Sequence, residues 1–163
     1  KYFDKLICFE PNSFCHDFLK KNINLEKSEI HDCALGEKEE NKNLFIHPHN
    51  SGASSLVNRT KLGTKQDKSP VYGQFPKGTP VIKTHLKKLD SFEYKKIDFI
   101  KIDVQGFELS VLKGAINTLQ NTRPILCIEE DDPKNSLIIP FLRQLNYELV
   151  DVVIKEHIFR KVK

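Results

Sequence analysis

Residues 97–106 constrain the fold more than any other part of this sequence. Residues 97–104 (IDFIKIDV) are rich in β-branched residues, which is typical of a strand, and Asp103 lies at the end of this run. Gly106 permits a tight turn, and the apolar spacing after it predicts a helix over residues 107–120. A strand that leads into a helix in this way is half of a βαβ unit, which favours a parallel sheet with right-handed crossovers.

Other apolar runs along the chain predict further strands that alternate with helices. The predicted strands cover residues 6–9, 29–35, 44–47, 81–89, 125–128, 148–154 and 157–161. A helix is predicted from a cap at Asn12 or Ser13 to Asn22, with Phe14 and Phe18 on its apolar face, and another over residues 136–145.

The spacing of the last two predicted strands indicates how the sheet ends. Two residues separate strand 148–154 from strand 157–161, which is too short for a parallel crossover, so the final strand must run antiparallel. The 163 residues fit one domain. We therefore predict a single α/β domain over residues 1–163, with a mostly parallel sheet and an antiparallel C-terminal hairpin. Residues 51–80, rich in Ser, Gly and Pro, are predicted to form a loop or lid.

Composition and charge exclude several classes of protein. The net charge of +4 comes from scattered lysines and not from a dense basic stripe, so we expect no nucleic-acid partner. No apolar run approaches the roughly 20 residues of a membrane span. The four cysteines have no C-x-x-C spacing, which predicts free thiols, neither disulfides nor a zinc site, and a soluble cytoplasmic protein. Because the chain contains no Met, we expect a fragment; its oligomeric state stays open.

Three predicted strands end in an acidic residue, namely Glu10, Asp103 and Glu129. In open α/β sheets, ligands bind outside the carboxyl ends of the strands. Glu10 suits a bidentate grip on the two hydroxyls of a ribose, although it could equally cap the helix that follows. Asp103 could hold a ligand, or it could satisfy amides of its own loop, with Glu108 complementing the helix dipole.

The segment IDFIKIDVQGFELSVLKGA, residues 97–115, resembles the signature of FkbM-type methyltransferases. Shorter segments agree with that family in order and spacing: FEPN at residues 9–12, ALG at 34–36, GASSL at 52–56 and PILCIE at 124–129. The resemblance therefore covers most of the chain, and its long central motif is highly specific.

This resemblance implies a Rossmann-like class I methyltransferase that uses S-adenosylmethionine. Its acceptor would be a hydroxyl of a sugar, polyketide or other small metabolite. Carried over by position, Glu10 would hold the ribose hydroxyls, and Asp32 and Cys33 would lie beside the adenine. Asp103 would face the methionine end and the acceptor, with its loop supported by Lys101 and Glu108.

The chain departs from the family pattern in two places. Gln105 stands where the family commonly has Glu, which removes a negative charge near the site. The family also carries a Gly-rich strand motif before its Glu-Pro motif, and only eight residues precede Phe9 here. We therefore expect the first β-α unit to be missing and cofactor binding by this chain alone to be weak.

For the chemistry, methyl transfer needs alignment and a proton acceptor for the attacking hydroxyl. Asp103 is the first candidate base and His85 the second, although His85 is also typical of a polar residue on a strand. A magnesium-assisted variant using Asp103 and residues 129–132 is a minor alternative. His47 and His49 are expected at the surface.

Two competing functions remain. A catalytically inactive, methyltransferase-like binding module is favoured by Gln105 and the absent Gly-rich motif. A nicotinamide-binding Rossmann protein is disfavoured because its glycine fingerprint is absent from the sequence.

Overall fold

The computed structural model describes residues 3–58, 75, 78–130 and 136–162. The helices in this part of the chain are α1 (Ser13–Asn22), α2 (Glu108–Lys113), α3 (Ile116–Thr122) and α4 (Ile138–Gln144). The strands are β1 (Leu6–Phe9), β2 (Ser28–His31), β3 (Ala34–Leu35), β4 (Glu40–Phe45), β5 (Val81–Lys87), β6 (Phe99–Ile102), β7 (Ile125–Glu129), β8 (Tyr147–Val153) and β9 (Glu156–Lys161).

These strands form three hydrogen-bonded sheets. β1 pairs with β2 in parallel; β5 pairs with β3 in parallel and with β4 antiparallel; and the third sheet has the order β6-β7-β9-β8. Only β6 and β7 are parallel in that sheet, and β8 and β9 form the antiparallel hairpin that their short separation predicts. Parallel and antiparallel pairs are equally represented among the described strands, because β4 and β9 each run against their neighbours, so "mostly parallel" is too simple a description.

The main core lies between the four-stranded sheet and helices α2, α3 and α4. Leu112, Leu119, Leu126 and Leu142 are each fully buried there. Burial of such a side chain stabilises the fold by about 1.5–3 kcal/mol. A smaller cluster of Ala34, Leu44, Leu56 and Leu86 fills the space beneath the three-stranded sheet.

The predicted helix over residues 107–120 is instead two short helices. α2 ends at a C-cap on Gly114, and Ala115 has φ −121°, outside the helical region, before α3 begins. Gly114 lies against the backbone of Gly36 at this break. Both helices bury the same face, so the apolar periodicity continues through the break. The sequence therefore predicted a single helix.

Two other local expectations also differ from the structure. The run 29–35 divides into β2 and β3, which belong to different sheets, since residues 32 and 33 form a bend between them. Asn12 caps α1 as predicted, but Phe14 and Phe18 are 74% and 69% exposed. The apolar face of α1 exists and is uncovered in the described part of the chain.

Of the predicted loop 51–80, residues 59–74, 76 and 77 lie outside the described residues. Its first part makes a 3-10 turn at Ser51–Ala53 and then a bridge between Ser55 and Phe45. No helix within the described ranges is both long and apolar enough to cross a membrane.

Candidate functional site

A buried carboxylate accepts hydrogen bonds from the turn after β6. Glu108, in the first turn of α2, accepts the backbone N–H groups of Val104 (3.2 Å) and Gly106 (3.0 Å) through one oxygen. Burial raises the pKa of Glu108, and these amide hydrogen bonds act in the opposite direction. The sequence allowed Asp103 to accept these loop amides, but Glu108 accepts them instead. The Asp103 carboxylate is half exposed beside the turn.

Gln105 joins the ends of two neighbouring strands. Its Nε2 atom donates to Asp103 Oδ1 and to Glu129 Oε2, both at 2.9 Å. β6 and β7 are parallel with Ile102 opposite Ile128, so Asp103 and Glu129 leave the sheet side by side. Asp103 and Glu129, which the sequence placed at strand ends, therefore lie on neighbouring strands. The sequence left the role of Gln105, the residue between them, undecided.

A second polar group lies on the same sheet just before Asp103. Lys101 Nζ contacts both carboxylate oxygens of Glu156, at 2.7 and 2.6 Å, and lies 4.0 Å from Asp103 Oδ2. The Cys127 thiol donates to Glu156 at 3.2 Å. Burial and the Glu156 carboxylate raise the pKa of Cys127 to about 11, so its thiol stays protonated at neutral pH.

The Ser-rich segment 51–58, which bridges to Phe45 of the three-stranded sheet, also contacts the turn after β6. Ser55 is 1% exposed, and its hydroxyl donates to the Gln105 carbonyl oxygen at 2.8 Å. The same hydroxyl accepts the Val57 N–H at 3.1 Å. Segment 51–58 and the Asp103 turn are thus bonded directly to one another.

Glu10, after β1, belongs to a separate polar group. Its Oε1 accepts the Asn12 N–H at 2.7 Å, while Asn12 Oδ1 accepts the Phe14 N–H at 3.2 Å and so caps α1. Asn12, and not Glu10, therefore caps α1. Burial raises the pKa of Glu10, the hydrogen bond from Asn12 and the nearby His16 lower it, and Asp32 raises it again.

His16 connects the residues predicted around the cofactor. Its Nε2 donates to the Glu10 carbonyl oxygen at 2.7 Å and lies 3.9 Å from Asp32 Oδ1. The structure therefore brings Glu10 and Asp32 into one neighbourhood. Asp32 is exposed, whereas Cys33 is 3% exposed and offers little surface to a ligand.

β1 and β6 belong to different hydrogen-bonded sheets, so strand pairing does not relate Glu10 to Asp103. The rings of Phe3, before β1, and Phe99, at the start of β6, lie 6.3 Å apart. Phe9, at the end of β1, packs against the main core cluster. Glu10 and Asp103 each follow the end of a strand, and each belongs to its own hydrogen-bonded group.

The predicted second base lies elsewhere. His85 is exposed on β5, opposite Asn41 of β4, and lines a shallow groove with Glu39, Glu40 and Lys87. Asp103 is not among the residues of that groove. The sheet on which His85 lies is not the sheet that ends at Asp103.

Nothing in the described residues forms a cluster of three or more His, Cys, Asp or Glu arranged to hold a metal ion. Residues 131 and 132 of the magnesium alternative lie outside the described residues. His47 is engaged locally, since its Nδ1 accepts the N–H groups of His49 (3.3 Å) and Asn50 (3.1 Å). The four cysteines are free, as predicted.

Sequence reasoning missed His16 and Ser55. His16 carries no sequence signal, because a single polar residue on a helix is usually solvated. Ser55 was visible as part of the GASSL segment, yet nothing in its spacing indicates which carbonyl its hydroxyl would reach.

Comparisons with known proteins agree with one another. The family model described as methyltransferase FkbM domain matches residues 4–149. Methyltransferase 1 of Beauveria bassiana (strain ARSEF 2860) is 24% identical over 119 residues, covering 67% of this chain and 48% of that protein. Methyltransferase sdnD of Sordaria araneosa is 30% identical over 132 residues, covering 68% of this chain and 51% of that protein.

A solved structure supports the fold. The crystal structure of Methyltransferase FkbM from Methylobacillus flagellatus KT superposes with a TM-score of 0.58 at 16% identity, over 97% of this chain and 36% of that one. The chain thus spans about half the length of the curated relatives it matches, and about a third of the solved chain.

Proposed function

The chain belongs to the methyltransferase FkbM domain family, and we propose that the protein transfers a methyl group from S-adenosylmethionine to a hydroxyl of a sugar or another small metabolite. The observation that supports this proposal is that Asp103 and Glu129 lie side by side at the ends of the parallel strands β6 and β7, with Glu10 after the end of β1. Ligands of α/β sheets bind at the carboxyl ends of the strands.

The chemistry of these side chains fits the proposed cofactor. Glu10 uses one oxygen for Asn12, and a carboxylate has further acceptor sites that suit the hydroxyls of a ribose. Asp32, exposed beside His16, would lie beside the adenine. Cys33 fits less well as a direct contact because it is buried, and it would act through the shape of the pocket wall.

Asp103 would act at the reacting end. The cofactor would supply a methyl carbon bound to a positively charged sulfur. The carboxylate of Asp103 is held at 2.9 Å by Gln105 and can accept the proton of an attacking hydroxyl. His85 lies on the three-stranded sheet, so it would serve as the base only if the acceptor approached from that sheet.

We further propose that the Gly-rich strand of this family pairs between β1 and β6. In the described chain β1 pairs with β2 and β6 pairs with β7, so each of these strands has one edge without a described partner strand. A strand in that place would join both sheets and bring glycine backbone to the edge between Glu10 and Asp103. Residues 51–80 would then supply the acceptor loop of a single domain, and the free cysteines fit a cytoplasmic location.

The test is a calorimetric titration of the full-length protein with S-adenosylhomocysteine, followed by transfer of a radiolabelled methyl group to a panel of sugars and hydroxylated metabolites. We expect saturable binding and label in at least one acceptor. Absence of binding would overturn the enzyme assignment and leave an inactive binding module, the alternative that Gln105 favours.

A further inference from the structure

We propose that Gln105 is a positioning residue, whose carboxamide fixes the orientation of the Asp103 carboxylate through a shared bridge to Glu129. The inference rests on the proposed function, because Asp103 is assigned there to the reacting end of the site.

The bridge uses the full donor capacity of one nitrogen atom. Nε2 of a glutamine carries two hydrogens, and the Asp103 and Glu129 oxygens both lie 2.9 Å from it. Hydrogen bonds to charged acceptors are roughly twice as strong as neutral ones. Gln105 therefore holds two carboxylates, which would otherwise repel one another, in one fixed arrangement.

The backbone that carries this side chain is fixed on both sides. Gln105 has φ 54° and Gly106 φ 90°, so a residue with a side chain occupies the left-handed region. This conformation is strained for a residue with a side chain and persists only where the surroundings impose it. Glu108 binds the flanking amides and Ser55 binds the Gln105 carbonyl, so the backbone from which the carboxamide extends is fixed.

The other charged or titratable groups near Asp103 are less well placed to orient it. Lys101 is 4.0 Å away and is already paired with Glu156 from β9. Cys127 from β7 directs its thiol to the same Glu156 carboxylate. The direct hydrogen bond from Gln105 is shorter than the ion pair with Lys101.

The family commonly carries Glu at this position, and a carboxyl group there could bridge Asp103 and Glu129 only while it shares a proton with them. The carboxamide of Gln105 donates both hydrogen bonds without such a proton. Gln105→Glu therefore tests the chemistry of the bridge and not its shape, because the two side chains have nearly the same size.

The experiment measures affinity of the full-length protein for S-adenosylhomocysteine in three variants. Gln105→Gly removes the bridge and relieves the backbone strain, so we expect affinity to fall about tenfold or more while the thermal midpoint holds or rises. Gln105→Asn keeps a carboxamide and tolerates the left-handed region, so it should recover part of the loss.

The third variant supplies a pH signature. Gln105→Glu introduces the residue that the family commonly carries, so it should still bind, but with an affinity that falls as the pH rises and the proton shared among the carboxyl groups is lost, and that recovers as the pH is lowered again. The control is Asn146→Gly, which also removes a carboxamide from a residue in the left-handed region (φ 60°), on the loop between α4 and β8. It should leave affinity unchanged.

The outcomes separate the two claims. Binding by wild type with equal binding by Gln105→Gly would overturn the positioning role and leave the proposed function standing. Losses of affinity that follow the thermal midpoint in all three variants, with no pH recovery, would also overturn it. Absence of binding by wild type would overturn the proposed function and the role of Gln105 with it.

Discussion

The α-carbon of Gly114 lies so close to Gly36 that a β-carbon added to it would sit 1.9 Å from the Gly36 carbonyl oxygen. The contact joins the end of α2 to the residue that follows β3, and so joins the main core to the three-stranded sheet. The atom in the way belongs to the backbone, which cannot rotate aside as a side chain can.

Gly114→Ala should therefore destabilise the protein by about 2 kcal/mol or more, because backbone must move to admit the methyl group. Urea unfolding monitored by circular dichroism measures the change. Gly52→Ala is the matched control, since its nearest neighbour is the Asn50 side-chain oxygen at 3.3 Å. Equal losses in the two variants would contradict the tight contact.

Glu10→Gln should lower the affinity for S-adenosylhomocysteine about tenfold or more, as expected for lost hydrogen bonds to a charged group. The glutamine oxygen can still accept the Asn12 N–H, so the start of α1 should be preserved. Calorimetry gives the affinity, and Glu148→Gln, an exposed charge near Arg160, serves as control. Unchanged affinity would remove Glu10 from the ribose site.

Asn12→Ala should cost about 1 kcal/mol of stability through loss of the α1 cap, and Asn12→Ser should restore most of it. Asn24→Ala removes a similar cap from an exposed 3-10 turn and should cost less. Chemical denaturation compares the three. A loss in Asn12→Ser as large as in Asn12→Ala would show that packing, not capping, accounts for the effect.

Glu108→Gln should change how stability depends on pH. Burial raises the folded-state pKa of Glu108, so the folded protein binds the proton more tightly than the unfolded chain does. Stability contributed by this group is complete below the unfolded pKa and declines as the pH rises through the folded value. Gln can still accept both amides, so the variant should lose this decline.

Unfolding midpoints of wild type and Glu108→Gln, measured from about pH 4 to 8, test this effect. The difference between the two proteins isolates Glu108 from other titrating groups. Parallel curves across that range would refute it.

The sequence predicted strands and helices well where a local signal ends them. α1 begins after its Asn12 cap and stops at Asn22 as expected, and β8 and β9 pair antiparallel because two residues cannot make a crossover. The break at Gly114 was not predicted, and there Gly114 contacts Gly36, which is distant in sequence. Local patterns carry no information about such partners.

The sequence predicted which acids follow strands and not what holds them. Strand ends indicated Glu10, Asp103 and Glu129, and the structure places Asp103 and Glu129 side by side. The bridge from Gln105 depends on a left-handed backbone at a residue that is not glycine, which no propensity favours. His16 likewise acquires its partner from the way α1 folds back on Glu10.

The buried hydroxyl of Ser55 has a consequence for divergence within the family. It anchors the chain to the Asp103 turn before Asn58, so the hydrogen bonds that hold this turn do not depend on the residues that follow Asn58 in the sequence. If residues 51–80 select the acceptor, as proposed, new substrates can be acquired by changing one stretch of chain while the carboxylates stay where they are.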